Sequence, residues 1–351
     1  MRKLAPGEQE VKEDRLAGSV LVFNFFGGIL TRGIALYVDN LCEGMKRSGI
    51  DARQFRCPKS LRRMPRPIVN ILFVLAEQVL MPIVSIGHQR VIYASNSVSI
   101  LGTLSKRTAI IVHDFIPNRK RNRSFAARYI RTTQRVHALL GRDVIFVSKS
   151  IERIARQAHI FPHSRKFEFP NSFYIFFEKR PRQVSVRQDH VLLCSGWGAN
   201  KDLAGALRLY VNSGLYRLRP LRVLGLSGRT RIVDEFRGLY PEASKRITVL
   251  PSLTDDAVIQ EYGSASWVWV HSRSEGYGRS IAEARFCGCS VVASRIAAFR
   301  EQRDDFTFLY RDLEDFKDAV LHSERTAAAA NFRYPEEHDR LEAELHKFLR
   351  G

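Results

Sequence analysis

The sequence predicts an α/β protein built as two doubly wound, Rossmann-like units facing a central cleft. Three observations carry this. Short apolar runs alternate with segments of helical period along the chain, the pattern of parallel sheets joined by crossover helices. The alternation is broken by a polar link at 178–189 (EKRPRQVSVRQD) and then restarts. The length of 351 residues suits two domains at about 150 residues each. Ligands of such sheets sit beyond the carboxyl ends of the strands.

Residues 1–18 (MRKLAPGEQEVKEDRLAG) lack the apolar core of a secretory signal and read as a flexible tail. Residues 19–26 (SVLVFNFF) read as the first strand, followed by Gly27 and Gly28. A helix is expected over 31–47, where Ala35, Val38, Cys42 and Met45 step by three and four onto one face. The stretch 67–87 (PIVNILFVLAEQVLMPIVSIG) is as long as a membrane span. Asn70, Glu77, Gln78 and Pro82 interrupt it, and a charge near the middle of a span is costly, so a buried helix ending near Pro82 is expected. Strands follow at 91–94, 109–113 and 144–148, before a Pro- and aromatic-rich stretch at 161–177 breaks the pattern. In the second half, 191–195, 221–226, 246–250, 267–271 and 290–294 read as strands. Helices are expected at 202–213, 280–286 and 335–349. The division that results is 19–185 and 186–330, with 331–351 as a C-terminal helix folding back on the first unit.

Composition narrows the function classes. With 45% hydrophobic and 26% charged residues, disordered, collagen-like and low-complexity chains are excluded. Cys42, Cys57, Cys194, Cys287 and Cys289 are odd in number and lack zinc-like spacing, which suggests reduced, mostly buried thiols in a cytoplasmic protein. Lys and Arg number 56 against 36 Asp and Glu, a net charge of +20. Such a surface attracts nucleic acid, an anionic membrane or phosphorylated substrates without choosing among them. No zinc finger or RNA-recognition motif supports specific nucleic-acid binding. No GxGxxG follows the first strand, which argues against a dinucleotide oxidoreductase. The basic run 119–123 leads into a helix whose Arg128, Arg131 and Arg135 share a face. That face reads either as solvated or as a docking site on the inner face of the cell membrane, where each basic residue adds about 1 kcal/mol.

The most informative segment is 267–294 (WVWVHSRSEGYGRSIAEARFCGCSVVAS). A strand runs into a loop whose Gly276 and Gly278 allow close approach of backbone to a ligand. Ser280 is placed to cap the next helix, whose first-turn N–H groups suit a phosphate or sugar oxygen. Glu275 in the loop and Glu283 on the first helical turn can face one cleft, and carboxylates accept hydrogen bonds from sugar or ribose hydroxyls. The bland alternative is a solvated loop residue and a helix-dipole partner. The glycines, cap and flanking strands favour the site. Lys201, between the Gly196 turn and a helix, is placed to neutralise phosphate. No pair of carboxylates reads as a metal site.

This segment resembles the E-x7-E region of retaining GT-B glycosyltransferases of family GT4, written S-x-x-E-G-F-G-L-P-x-x-E-A-x-A-C-G-x-P-V-V-A-S. The chain reads S-R-S-E-G-Y-G-R-S-I-A-E-A-R-F-C-G-C-S-V-V-A-S. Further pieces follow in the family's order. Phe25-Phe26-Gly27-Gly28 resembles the glycine loop after the first strand, and His113-Asp114-Phe115-Ile116-Pro117 the His-Asp motif. Val147-Ser148-Lys149-Ser150 resembles the VSxxS segment, and Pro170-Asn171-Ser172 the Pro-Asn-Gly position. Glu77-Gln78 also fits a helix that such enzymes have there. The resemblance implies a GT-B fold and transfer of a sugar with retention from a nucleotide sugar to a glycan or lipid-linked acceptor, without cofactor or metal. It implies Glu275 and His113 as catalytic residues at the donor sugar, and Glu283 at the ribose. Lys201, Gly276, Tyr277, Gly278, Ser280, Gly27 and Gly28 become donor-binding residues. The mannosyltransferase-like branch makes GDP-mannose the first expected donor, and envelope polysaccharide assembly the expected setting. The family's arginine after the first glycine is Trp197 here, with Arg229 or Arg231 as replacements, and its Leu-Pro is Arg279-Ser280. Loss of that arginine leaves an inactive GT-B-like scaffold as one alternative, and the charge leaves a polyanion-binding protein as another.

Overall fold

The computed structural model describes residues 19–29, 33–115, 124–179, 187–196, 198–226, 228–325 and 337–350. The 1–18 tail, the basic run 119–123, most of the link and Trp197 lie outside the described residues.

Two six-stranded parallel sheets are present. The first has the order β2-β1-β3-β4-β5-β6: β1 (Ser19–Phe23), β2 (Asp51–Phe55), β3 (Arg90–Tyr93), β4 (Thr108–Val112), β5 (Asp143–Phe146) and β6 (Lys166–Glu168). The second has the order β12-β11-β10-β7-β8-β9: β7 (Val191–Cys194), β8 (Leu221–Leu224), β9 (Ile247–Val249), β10 (Trp267–Val270), β11 (Val291–Ser294) and β12 (Thr307–Tyr310). In each sheet the order reverses beside the first strand of its unit, the switch point at which doubly wound folds open a crevice.

The inner strands are continuous apolar runs because helices cover both faces of the sheet. In the second sheet the alternation separates two cores. Leu192, Cys194, Val268, Val270, Val291 and Ala293 point to one, and Val191, Leu193, Trp267, Trp269 and Val292 to the other. The final helix, Glu337–Arg350, packs on the first unit, where Leu341, Leu345 and Phe348 join its core. Arg90 donates to the Phe348 carbonyl at 2.7 Å, and Arg340 pairs with Glu168 at 2.8 Å. All five cysteines are buried, and none is in a disulfide.

Four expectations change. The first strand stops at Phe23, and Phe25–Gly28 form a 3-10 turn. The first helix begins at Ile34, since Gly33 at φ 69° turns the chain into it. Three strands outside the expected set, β2, β6 and β12, are found only in the structure; in the polar β2 only Ala52 is fully buried. The helix in the stretch 67–87 ends at Val84, close to Pro82, but it is buried on one side only. Helix runs from Arg66–Leu75 through a π-turn, Ala76–Leu80, to Met81–Val84. Pro82, which has no N–H to give, follows directly on the π-turn. The π-turn relaxes the ladder around it. One side of this helix packs on the core through Val69, Phe73, Ala76 and Met81, and the other is exposed.

Candidate active site

A cavity of about 250 Å³ lies where the two sheets present their carboxyl ends to each other. The first unit contributes Gly33, Ile34, Tyr37, His113, Asp114, Val147 and Asn171. The second contributes Lys201, Val270, Glu275, Gly276, Tyr277, Gly278, Arg279, Ser280 and Glu283. Larger openings of about 710 and 530 Å³ are each lined by one unit alone, so neither is built from both halves of the fold.

His113 follows β4 directly. Its backbone N–H donates to Asn96 Oδ1 at 2.6 Å, and its Nε2 lies 3.0 Å from the Ala94 carbonyl. A carbonyl only accepts, so Nε2 carries the proton and Nδ1 is the acceptor. Burial pushes the imidazole down to about 4, so the ring is neutral at pH 7. Tyr37 stands edge-on to it, ring centres 5.1 Å apart.

Lys201 ends a short 3-10 turn, Ala199–Lys201. Asp202 then takes a left-handed backbone and accepts from Gly205 N–H, starting the Leu203–Asn212 helix. Lys201 Nζ lies 2.6 Å from Glu275 Oε1. The loop that carries Glu275 is clamped to the lysine turn, with Arg273 N–H and Ser272 Oγ both donating to the Asn200 carbonyl at 2.7 Å.

Gly276 is required by close approach. A Cβ there would sit 1.9 Å from the His113 carbonyl oxygen, and Ser148 Oγ donates to the Gly276 carbonyl at 2.7 Å. The two units therefore meet backbone to backbone at the cavity. Gly278 has φ 89°, and its Cβ would meet the Phe299 ring at 2.3 Å. Gly278, not Ser280, occupies the N-cap of the Arg279–Phe286 helix. The expected serine cap is corrected on this point: the left-handed turn delivers the chain one residue earlier and leaves Ser280 inside the first turn. No side chain caps this helix, and Ile281 N–H bonds back to the Gly278 carbonyl at 3.1 Å. Gln302 donates to the Tyr277 and Gly278 carbonyls, holding the loop.

Glu283 is buried. Its Oε2 accepts from Tyr262 OH at 3.2 Å, and its Oε1 lies 3.5 Å from Arg279 Nε. Arg279 also donates to Asn171 Oδ1 at 3.1 Å and to the Ser172 carbonyl at 3.3 Å, and stacks on Phe173 at 4.3 Å. The charge that sequence reasoning left without a role thus links the glycine loop to the Asn171-Ser172 segment. Its position four residues before Glu283, on the same helical face, was the available signal.

Gly27 and Gly28 do not line this cavity. A Cβ at Gly27 would strike the Asn24 side chain, and one at Gly28 the Cys57 carbonyl at 1.9 Å, so packing of the 3-10 turn accounts for both. Gly33 lies at the cavity instead. Arg229 and Arg231 are not among its lining residues, and Arg231 pairs with Glu235 in solvent. Among the described residues, no cluster of three or more His, Cys, Asp or Glu side chains could hold a metal ion.

The comparisons agree with this architecture. Residues 216–323 match the family described as Glycosyl transferases group 1. Sucrose-phosphate synthase from Thermosynechococcus elongatus superimposes with a TM-score of 0.66 at 15% identity, over 95% of this chain and 96% of that one. Anabaena HepE in complex with UDP gives 0.59 at 15% identity, over 94% and 95%. An α,α-trehalose-phosphate synthase (UDP-forming) from Burkholderia vietnamiensis gives 0.59 at 11% identity, over 95% and 94%. No curated protein sequence matches the chain significantly. The fold is that of solved GT-B glycosyltransferases, and the family match falls within the second unit.

Proposed function

We propose that the chain is a retaining glycosyltransferase that moves a sugar from a nucleotide sugar to a glycan or lipid-linked acceptor, without a metal. The observation that carries this is the cavity itself, where Lys201, Arg279 and the carboxylates Glu275 and Glu283 of one unit face His113 of the other. Lys201, Arg279 and the start of the Arg279–Phe286 helix balance the charge of a pyrophosphate leaving group. Glu283 accepts from ribose hydroxyls, and Glu275 exchanges its bond to Lys201 for contacts with the donor. His113, neutral at pH 7, accepts a sugar hydroxyl through Nδ1 and positions the sugar rather than moving a proton. The departing phosphate assists deprotonation of the acceptor.

The sequence resemblance favours GDP-mannose and a cytoplasmic step in envelope polysaccharide assembly. A uridine donor is the second reading, favoured by the UDP in the HepE structure and the UDP-forming synthase among the similar folds. Thermal unfolding with GDP, UDP and dTDP, alone and as their sugars, separates them. A ligand at 100 times its Kd stabilises the fold by about 2.7 kcal/mol. One nucleotide should raise the melting temperature of the wild type, and Lys201→Ala should lose most of that rise. Absence of any rise at millimolar nucleotide overturns the enzyme reading in favour of a scaffold or polyanion-binding protein.

A further inference from the structure

The helix that continues from Arg66–Leu75 through Met81–Val84 presents an apolar stripe that is not covered by the described residues. Ile68, Ile71, Leu75, Val79, Ile83 and Ile86 recur at steps of three and four, and Ile71, Val79, Ile83 and Ile86 are 57–79% exposed. The stripe is extended by the Ile100–Leu104 turn, which Gln78 ties to this helix by accepting from Ile100 N–H and donating to the Val98 carbonyl. Leu101 and Leu104 are exposed there.

Charge surrounds this face with one sign. Lys59, Arg62, Arg63 and Arg66 lie exposed at the helix's entry, and Lys106 and Arg107 at its far end. Arg107 reaches the His88 carbonyl just past the helix. Across residues 58–89 the only acidic side chain is Glu77, which is fully buried on the opposite side. We infer that this stripe lies in the surface of an anionic phospholipid bilayer, with the apolar side chains in the acyl boundary and the basic collar among the headgroups. A second copy of the chain suits the face less well, because each copy carries +20. The helix lies along the bilayer and does not cross it. Glu77 accepts from Ser97 Oγ at 2.7 Å and from Tyr129, and Val69, Phe73 and Met81 belong to the domain core. Insertion across the membrane would tear that side away. The inference stands apart from the proposed glycosyl transfer, since it uses no residue of the cavity.

The test is flotation of the full chain with vesicles of phosphatidylcholine, and of phosphatidylcholine mixed with phosphatidylglycerol. The chain should float with the mixed vesicles. The double variant Ile71→Glu, Ile83→Glu should lose partitioning by at least about tenfold while keeping its melting temperature, because both side chains are exposed. No flotation of the wild type at low salt overturns the inference. Equal flotation of the variant also overturns it, leaving charge alone. A wild-type dimer in light scattering that the variant dissolves assigns the stripe to a second copy instead. Nucleotide stabilisation of the variant, read in parallel, reports on the cavity separately.

Discussion

Gly276 holds the closest contact between the two halves. A methyl group there would press on the His113 carbonyl, which belongs to a buried backbone with no room to retreat. Gly276→Ala is expected to destabilise by about 1–3 kcal/mol, as overpacking does, and to lower transfer further by shifting Glu275 and His113 apart. Chemical unfolding and steady-state transfer rates measure the two effects separately. Lys201 poses the opposite problem, since it is partly exposed and its loss overpacks nothing. A charge-assisted hydrogen bond is worth about 1.5–3 kcal/mol, so Lys201→Ala should lower kcat/KM for the donor by about 10–100-fold. Arg279→Lys keeps the charge but cannot reach Asn171, Ser172 and Glu283 together from one planar group. Its donor affinity should fall nearly as far as that of Arg279→Met, which isothermal titration would show.

Among elements, the strands buried on both faces were legible because burial demands continuous apolar runs, as in 191–195 and 267–271. The edge strand β2 was not, because an edge needs only Ala52 inside. The helix at 66–84 was legible as a helix but not in its placement. It carries two apolar stripes, one through Val69, Phe73 and Met81 and one through Ile71, Leu75 and Ile83, and nothing local says which faces the core. The glycine loop was legible because Glu275 to Glu283 are contiguous. The partners of that loop, Ser148, Asn171 and Gln302, are contacts between distant segments that no local spacing encodes. The final helix rests on such a contact as well. Asp143 is buried between Arg90 and Arg165, and Arg90 in turn holds the Phe348 carbonyl. Asp143→Ala leaves Arg90 buried without its counter-charge, at a cost of about 3–5 kcal/mol. Hydrogen exchange should show the Glu337–Arg350 helix losing protection first.

Across the whole molecule, buried titratable groups set how stability follows pH. Burial pushes His113 and His137 from 6.5 down to about 4. It pushes Glu77 from 4.5 up to about 7, against the hydrogen bonds from Tyr129, Ser97 and Gln78. The signs oppose each other. An imidazole held neutral contributes stability that is complete above pH 6.5 and is lost as pH falls toward about 4. A carboxyl held protonated contributes stability that is complete below pH 4.5 and is lost as pH rises through about 7. At 1.36 kcal/mol per pK unit each group is worth about 3 kcal/mol, so the two imidazoles outweigh the one carboxyl. His190 and His338 are lowered too, mainly by burial, and add to the same side. The unfolding free energy should therefore be greatest near neutrality and fall by several kcal/mol toward pH 4.5. Glu77→Gln removes the opposing contribution. Above neutrality, where the wild type must bury a carboxylate, the variant should be the more stable protein, and the advantage should vanish as pH falls to about 5. Urea unfolding of both proteins across that range measures it, and an advantage independent of pH would mean that folding does not raise the Glu77 carboxyl above its unfolded value.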